Sequence, residues 1–509
     1  MQVQVDAATA VEEKPADQPT SLTRDAGPHS AFRLAVWVFA TFQFFYMLTS
    51  SGRVRTADEY NTLYTAESLV LRGSTAVPQA VQLHNFYGRF DLYGQPQAAY
   101  PPGHAALSAP WCALGQYLLS RLPGVPAMAH DFMVGFSSSL SSSTFSALVV
   151  ALFFLLLASI GASVRASLLA TMLLGLATSI FGYSAWFFSE PLSAAIFMGA
   201  ALILFRRPGE PIALGPAVVA GLILGLATWI RPTNVLAIVI FALAILVRDG
   251  KRALRSAAVM CAASAIGVAT LLFRDARLFG SPFDFGYPTA AGGVRIENSF
   301  DTPIATGLYG FLLSPGKSVF LFAPPLILAL AGLRRLWKLE RGVAALAILF
   351  PLVYLFFYAR YAYWEGGYCV GPRYLVPAIP MLCLGLGALL ASPTTPFRRP
   401  AFLVLVLGAA VQCISLATSF LEDQAPARGH YYDAHWHYRL NYSLNGQIQL
   451  FWKYLTHGQP PTLGLGWDRW FVFLHNGGVS AVTLAILASL MLAGLAISIT
   501  GLARSVRSA

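Results

Sequence analysis

Charge is what this chain has least of. Only 11% of its 509 residues are Asp, Glu, Lys or Arg, against 56% hydrophobic, whereas a soluble domain carries about a quarter charged residues. So little charge excludes a water-soluble globule of this size. The five cysteines, Cys112, Cys261, Cys369, Cys383 and Cys413, show neither CxxC nor CxxH spacing, so no zinc site or disulfide framework is expected. A single bond between Cys112 and Cys369 is left open. The amino-terminal stretch also lacks a basic region running straight into an apolar one, so no cleaved signal peptide is expected. Residues 1–32 are polar, rich in Pro, Ala and Asp and without apolar periodicity, and read as a disordered cytoplasmic tail.

Long apolar stretches are abundant. The first runs over about 32–50, and others lie near 132–160, 166–186, 189–205, 213–230, 233–248, 256–273, 317–333, 342–358, 374–391, 401–420 and 479–500. A helix of roughly 17–25 residues crosses a hydrocarbon core of about 30 Å. The expected fold is an all-α polytopic membrane protein with about twelve transmembrane helices. Residues 33–420 form the transmembrane module, 421–475 an external loop, and 476–509 the last helix and a cytoplasmic tail. The first external loop, 51–131, is large and carries amphipathic pieces at 61–72 and 104–122. The second of these follows a YPPG turn and contains Pro110, which places it on the membrane surface.

The net charge of +11 does not call for nucleic acid, because of where the positive residues fall. Alternate connections hold Arg165; Arg206 and Arg207; Arg248, Lys251, Arg252 and Arg255; Arg334, Arg335, Lys338 and Arg341; Arg398 and Arg399; and finally Arg504 and Arg507. Short basic loops mark the cytoplasmic side. The opposite side collects the long loops and most loop aromatics, among them Tyr361, Tyr363, Trp364, Trp467 and Trp470. These read first as an interfacial belt, with faces for sugar stacking as the alternative. The run FSSSLSSSTFS (136–146) has the small residues of a close helix–helix face in lipid.

The polar residues of the outer loops are the candidates for chemistry. Asp58 and Glu59 lie at the outer end of the first span, where a carboxylate can take a proton from an acceptor hydroxyl or open a helix. Arg53, Arg55, Arg231, Lys317 and Arg373 are the outer cations suited to a phosphate. Arg231 stands at a Trp-Ile-Arg-Pro break, so it should face a cavity or the interface. Glu190 and Glu365 stand at outer ends of spans, with helix capping as the alternative for Glu190. Gly310 to Lys317 nearly spells a P-loop, but the spacing is one residue too long. A Ser-Pro-Gly turn beside Lys317 remains a candidate phosphate cradle. His430, Asp433, His435 and His437 are too alternately spaced for a convincing metal site, and Asn441-Tyr442-Ser443 is a formal glycosylation sequon.

Taken in order, TADEYNTLYTAESLVLRG, AAYPPGHAAL, WFFSEPLSAA, ATWIRPTN, GFLLSPGKSVFLFAPPL and YWEGGYCVGPRYLVPAIP resemble the GT-C superfamily. Within it they are most similar to the bacterial branch related to protein O-mannosyltransferases and the aminoarabinose lipid A transferase. The resemblance implies an integral-membrane glycosyltransferase that takes a hexose or pentose from a polyprenyl-phosphate donor, with inversion, to a glycan, lipid or protein hydroxyl. The reaction would lie on the periplasmic or exterior face of the inner membrane. It makes Asp58 the base, with Glu59 beside it, and Arg53, Arg55, Tyr100, Arg231, Lys317, Glu365 and Arg373 the substrate-binding set. Members differ in their need for a divalent cation, and no ligand set for one stands out. The competing reading is a secondary transporter or lipid flippase, which calls for ionisable residues at mid-membrane depth and internal repeats.

Overall fold

The computed structural model describes residues 28–121, 127–287, 300–367, 369–391, 396–419, 444–458 and 467–508. The chain is an all-α polytopic membrane protein. Each expected span meets a helix: Pro28–Thr49, Ala127–Ser159, Val164–Ala177, Glu190–Phe205, Leu214–Ala227, Val235–Asp249, Leu254–Phe279, Pro325–Leu339, Arg341–Ala359, Ile379–Leu390, Arg398–Ala417 and Ala481–Arg507. Among the described residues, seven stretches are long and apolar enough to cross a membrane, and one of them, Pro232–Phe279, holds two successive helices. The expected span at 317–333 is displaced. A short Val319–Phe322 helix ends before Pro324, and the long helix starts at Pro325, where the fixed proline φ suits a first turn.

Small residues set the closest approaches, as expected where water does not drive association. The serines at 137–139, 141–143 and 146 are all buried. Ser137 donates to the Trp111 carbonyl, Ser143 to that of Ser184 at 2.9 Å, and Ser108 meets Ser141 at 3.0 Å. The run therefore fastens Ala127–Ser159 to its neighbours. Cys112 and Cys369 are both buried free thiols, so the bond left open above is not formed.

The first loop supplies Ala57–Arg72 and Gly103–Arg121. The first of these begins four residues earlier than expected, because Thr56 and Glu59 make a reciprocal capping box that satisfies two backbone donors at once. Gly73, at φ 62°, closes the helix in the left-handed region, which glycine reaches without strain. A small antiparallel hairpin, Gly88–Phe90 with Pro96–Ala98, lies between the two helices, unanticipated from sequence because each strand is only three residues long.

Loops expected on one side of the membrane meet one another. At the basic end, Arg248 bonds the carbonyls of Leu204, Arg207 and Glu210 and pairs with Glu340 at 3.2 Å. Arg33 reaches Ser508 at 2.8 Å, joining the two ends of the described chain. At the other end Asp58, Tyr100, Glu190, Arg231 and Arg373 converge. Glu190–Phe205, whose 16 residues rise about 24 Å at 1.5 Å each, runs from one set to the other.

Candidate active site

One face of Ala57–Arg72 forms a wall. Asp58, Asn61, Thr62 and Thr65 follow the i, i+3, i+4, i+7 spacing that aligns helical side chains, and all four line a cleft of about 440 Å3, open to solvent. Tyr100 to Pro102 and His104 line it from the YPPG turn, Phe187 to Ser189 from the approach to Glu190–Phe205, and Arg231 and Arg373 complete it.

Arg373 organises the cleft. Its Nη1 donates to Asp58 Oδ2 at 2.7 Å and its Nε to Glu190 Oε1 at 2.7 Å. The guanidinium carbon lies 4.2 Å from the centre of the Phe188 ring. Arg231 sits where Leu214–Ala227 stops and a 3-10 turn at Pro232–Asn234 begins. It pairs with the same Glu190 oxygen at 3.0 Å and lies over the Tyr374 ring at 5.2 Å. Glu190 is fully buried and receives both guanidiniums on one oxygen; the other, Oε2, has no hydrogen-bond partner. A buried carboxylate survives only when paired in this way, so Glu190 serves as the fixed anion that holds two arginines side by side.

Asp58 is engaged on both oxygens, since the Tyr100 hydroxyl donates to Oδ1. Burial alone would push its carboxyl up. The charge of Arg373, the hydrogen bonds from Tyr100 and Arg373, and the charge of Arg231 outweigh that and hold it below its ordinary value. It is therefore ionised throughout the neutral range. A quarter of its side chain remains open to the cleft, so a substrate hydroxyl can reach it. Burial, then the Asp58 charge, hold the Tyr100 phenol well above its ordinary value, so it stays a donor.

Of the residues singled out from sequence, Asp58, Tyr100, Arg231 and Arg373 come together here, with Glu190 directly behind the two arginines. The others do not line the cleft. Glu59 is fully buried, with Oε2 accepting from the backbone N–H of Arg55 and Thr56 at 3.0 and 2.9 Å and Oε1 from that of Phe187 at 2.9 Å. It is spent on capping the helix and tying it to the Phe187 segment. Arg53 and Arg55 pair instead with Asp468, and Arg53 lies over the Phe473 ring at 5.2 Å. Lys317 is buried behind the 364–373 loop, its ammonium donating to the Cys369 carbonyl at 2.9 Å, so the turn before it presents no charge to the cleft. Glu365 is buried near Lys317, and burial raises its carboxyl to about 7 against the lowering effect of a backbone hydrogen bond and Lys317.

No protein-family model matches the chain, and no curated protein does. Among solved structures it is similar to ArnT from Cupriavidus metallidurans bound to undecaprenyl phosphate. There the identity is 16% and the TM-score 0.45, over 92% of this chain and 76% of that one. It is also similar to the Archaeoglobus fulgidus oligosaccharyltransferase in complex with Zn and sulfate. In that case identity is 14% and the TM-score 0.45, over 83% of this chain and 55%, about half, of the other. At these scores the likeness is one of outline, and the chemistry has to be read from this chain's own side chains.

The residues that sequence reasoning passed over are His104 and Asn61. His104 follows YPPG directly but sits on a helix expected to lie on the surface, and Asn61 looked like one more polar residue of an amphipathic piece. The Asp58 helix phase was the available signal, since Asn61 is one turn from it. Among the described residues no three His, Cys, Asp or Glu side chains group as metal ligands. Both Asp58 oxygens are taken and Glu190 is bound by two cations, a set unsuited to a divalent ion. The histidine-rich stretch at 430–437 and the sequon at 441–443 lie outside the described residues. Trp364 and Trp470, assigned above to a belt or a sugar face, are buried in packing.

Proposed function

We propose that the protein is an inverting glycosyltransferase that moves a sugar from a polyprenyl-phosphate donor to an acceptor hydroxyl, with Asp58 as general base. The observation that carries this reading is an ionised, partly open carboxylate in the same cleft as two arginines that a buried Glu190 holds side by side. The acceptor oxygen attacks the sugar's anomeric carbon and gives its proton to Asp58. The bond from that carbon to the phosphate oxygen breaks, and the electron pair leaves with polyprenyl phosphate. The phosphate passes from one negative charge to two, so cations placed beside it stabilise the transition state more than the ground state. Arg231 and Arg373 are so placed. Inversion follows from a single displacement.

Arg373 also links the two ends of the reaction. In the free protein it holds Asp58 ionised; a donor phosphate drawn to the same guanidinium competes for it and leaves Asp58 a stronger base when the donor is in place. The distribution of basic loops supports an outward-facing cleft in a cell's inner membrane as part of this reading.

The experiment is mass spectrometry of envelope glycolipids and glycoproteins from wild-type, deletion and Asp58→Asn cells, with membrane abundance of the variant checked. One sugar's mass should vanish in the deletion and fail to return with Asp58→Asn, and the lost mass identifies the sugar. Full restoration by the variant removes Asp58 as base. A deletion that alters no glycan overturns the transferase reading in favour of a transporter or flippase.

A further inference from the structure

Two polar atoms in the cleft have no work in the reaction as described. His104 is 4% exposed, and its Nε2 has no hydrogen-bond partner. Its ring is held 5.0 Å from that of Phe187 and 6.5 Å from that of Phe145, so it cannot swing out to water. Asn61 is fully buried. Its amide nitrogen donates to the Ala57 carbonyl at 2.7 Å, while Oδ1 has no partner. Buried polar groups left unsatisfied are costly and uncommon. Two lining one cleft, on different helices, are the signature of a site whose ligand completes them.

Their chemistry restricts that ligand. Burial, aided by the charges of Arg231 and Arg373 and opposed by that of Glu190, lowers the His104 imidazole to about 4. It is neutral at physiological pH and adds nothing to anion binding. The Asn61 oxygen only accepts. An acceptor oxygen and a neutral imidazole suit hydroxyl groups and suit a phosphate poorly, because a phosphate brings no proton for Asn61 to accept. Position agrees: the charges that reach His104 are those of Glu190, Arg231 and Arg373, the phosphate end of the cleft, and Asn61 is one helical turn beyond Asp58. A group between the leaving phosphate and the base is the group being transferred.

Building on the glycosyl-transfer reading above, we infer that His104 Nε2 and Asn61 Oδ1 form the hydroxyl-binding subsite for the donor's sugar, and so select which sugar is moved. They are specificity residues, distinct from the phosphate-binding arginines.

The test measures binding of undecaprenyl phosphate, bare or carrying glucose, mannose or arabinose, to the full-length protein in nanodiscs. Wild type should bind at least one glycosylated lipid more tightly than the bare lipid. His104→Phe and Asn61→Leu, which keep shape and lose hydrogen bonding, should each reduce that preference about tenfold while bare-lipid affinity stays within twofold. His104→Gln should recover much of it, which a purely packing role would not allow. Equal losses for bare and glycosylated lipid overturn the inference in favour of a phosphate contact. An unchanged preference in both variants, or no preference for any of the three sugars in wild type, overturns it as well. If wild type binds none of the four lipids, the donor assignment itself falls and takes this inference with it.

Discussion

At the scale of single residues, neighbours in sequence have opposite duties. Asp58 faces the cleft, whereas Glu59, rotated about 100° around the same helix, faces the protein and caps it. Glu59→Gln should therefore behave as a cap variant, destabilising by about 1 kcal/mol and lowering activity only in step with the amount of folded protein. Specific activity per folded molecule, measured beside thermal unfolding, checks this; a loss of a hundredfold or more without destabilisation would return Glu59 to the chemistry. Tyr100 allows a sharper test through pH. A hydrogen bond to an ionised carboxylate favours the charged form, so Tyr100→Phe should raise the Asp58 carboxyl from its lowered position. The base works when ionised. Activity is thus full above its pKa and lost as pH falls through it, and the acid limb of kcat/KM should move to higher pH in Tyr100→Phe. A limb that stays in place would show that another group titrates there.

At the scale of elements, the site depends on how closely the first loop approaches a helix break. Gly103 N–H donates to the Trp229 carbonyl at 2.8 Å, and a Cβ on Gly103 would stand 2.5 Å from that oxygen. The glycine of YPPG is thus what lets the Tyr100 turn dock beside Arg231. Gly103→Ala must push the two backbones apart, at about 1–3 kcal/mol, and should lower the melting temperature and loosen the arginine pair. Gly161→Ala is the control, since its Cβ meets nothing within 4 Å. It should cost only the strain of its φ of 95° and leave donor binding untouched. Both effects can be read from thermal unfolding and undecaprenyl phosphate affinity in nanodiscs. These elements also mark what sequence could reveal. Helix positions follow from apolar length, and Arg231 was exposed by the proline that breaks its helix. The Thr56–Glu59 cap was written in the chain as Thr-x-x-Glu, yet the acidic pair drew attention to chemistry first. The Asp468 that engages Arg53 and Arg55 lies some four hundred residues downstream, and the inward turn of Lys317 depends on a carbonyl of another loop. Long-range pairings of this kind carry no local pattern.

For the whole molecule, charge and depth make one prediction that stands apart from the chemistry. The basic loops at one end, tied together by Arg248 and Glu340, and the cleft loops at the other are separated by the length of Glu190–Phe205. If basic loops remain in the cytoplasm, the cleft must open outward, where a lipid-linked donor and an envelope acceptor can both arrive. Single cysteines can decide this in a background with Cys261→Ala and Cys413→Ala, since Cys112, Cys369 and Cys383 are buried. Gln82→Cys, exposed in the first loop, should react with a membrane-impermeant maleimide added to cells whose inner membrane is intact. Lys251→Cys, exposed among the basic loops, should react only after that membrane is opened. The reverse pattern would turn the cleft to the cytoplasm. The base and the arginine pair would keep their geometry there, but the transfer would face cytoplasmic acceptors, and the reading of an outer-face envelope transferase would fail.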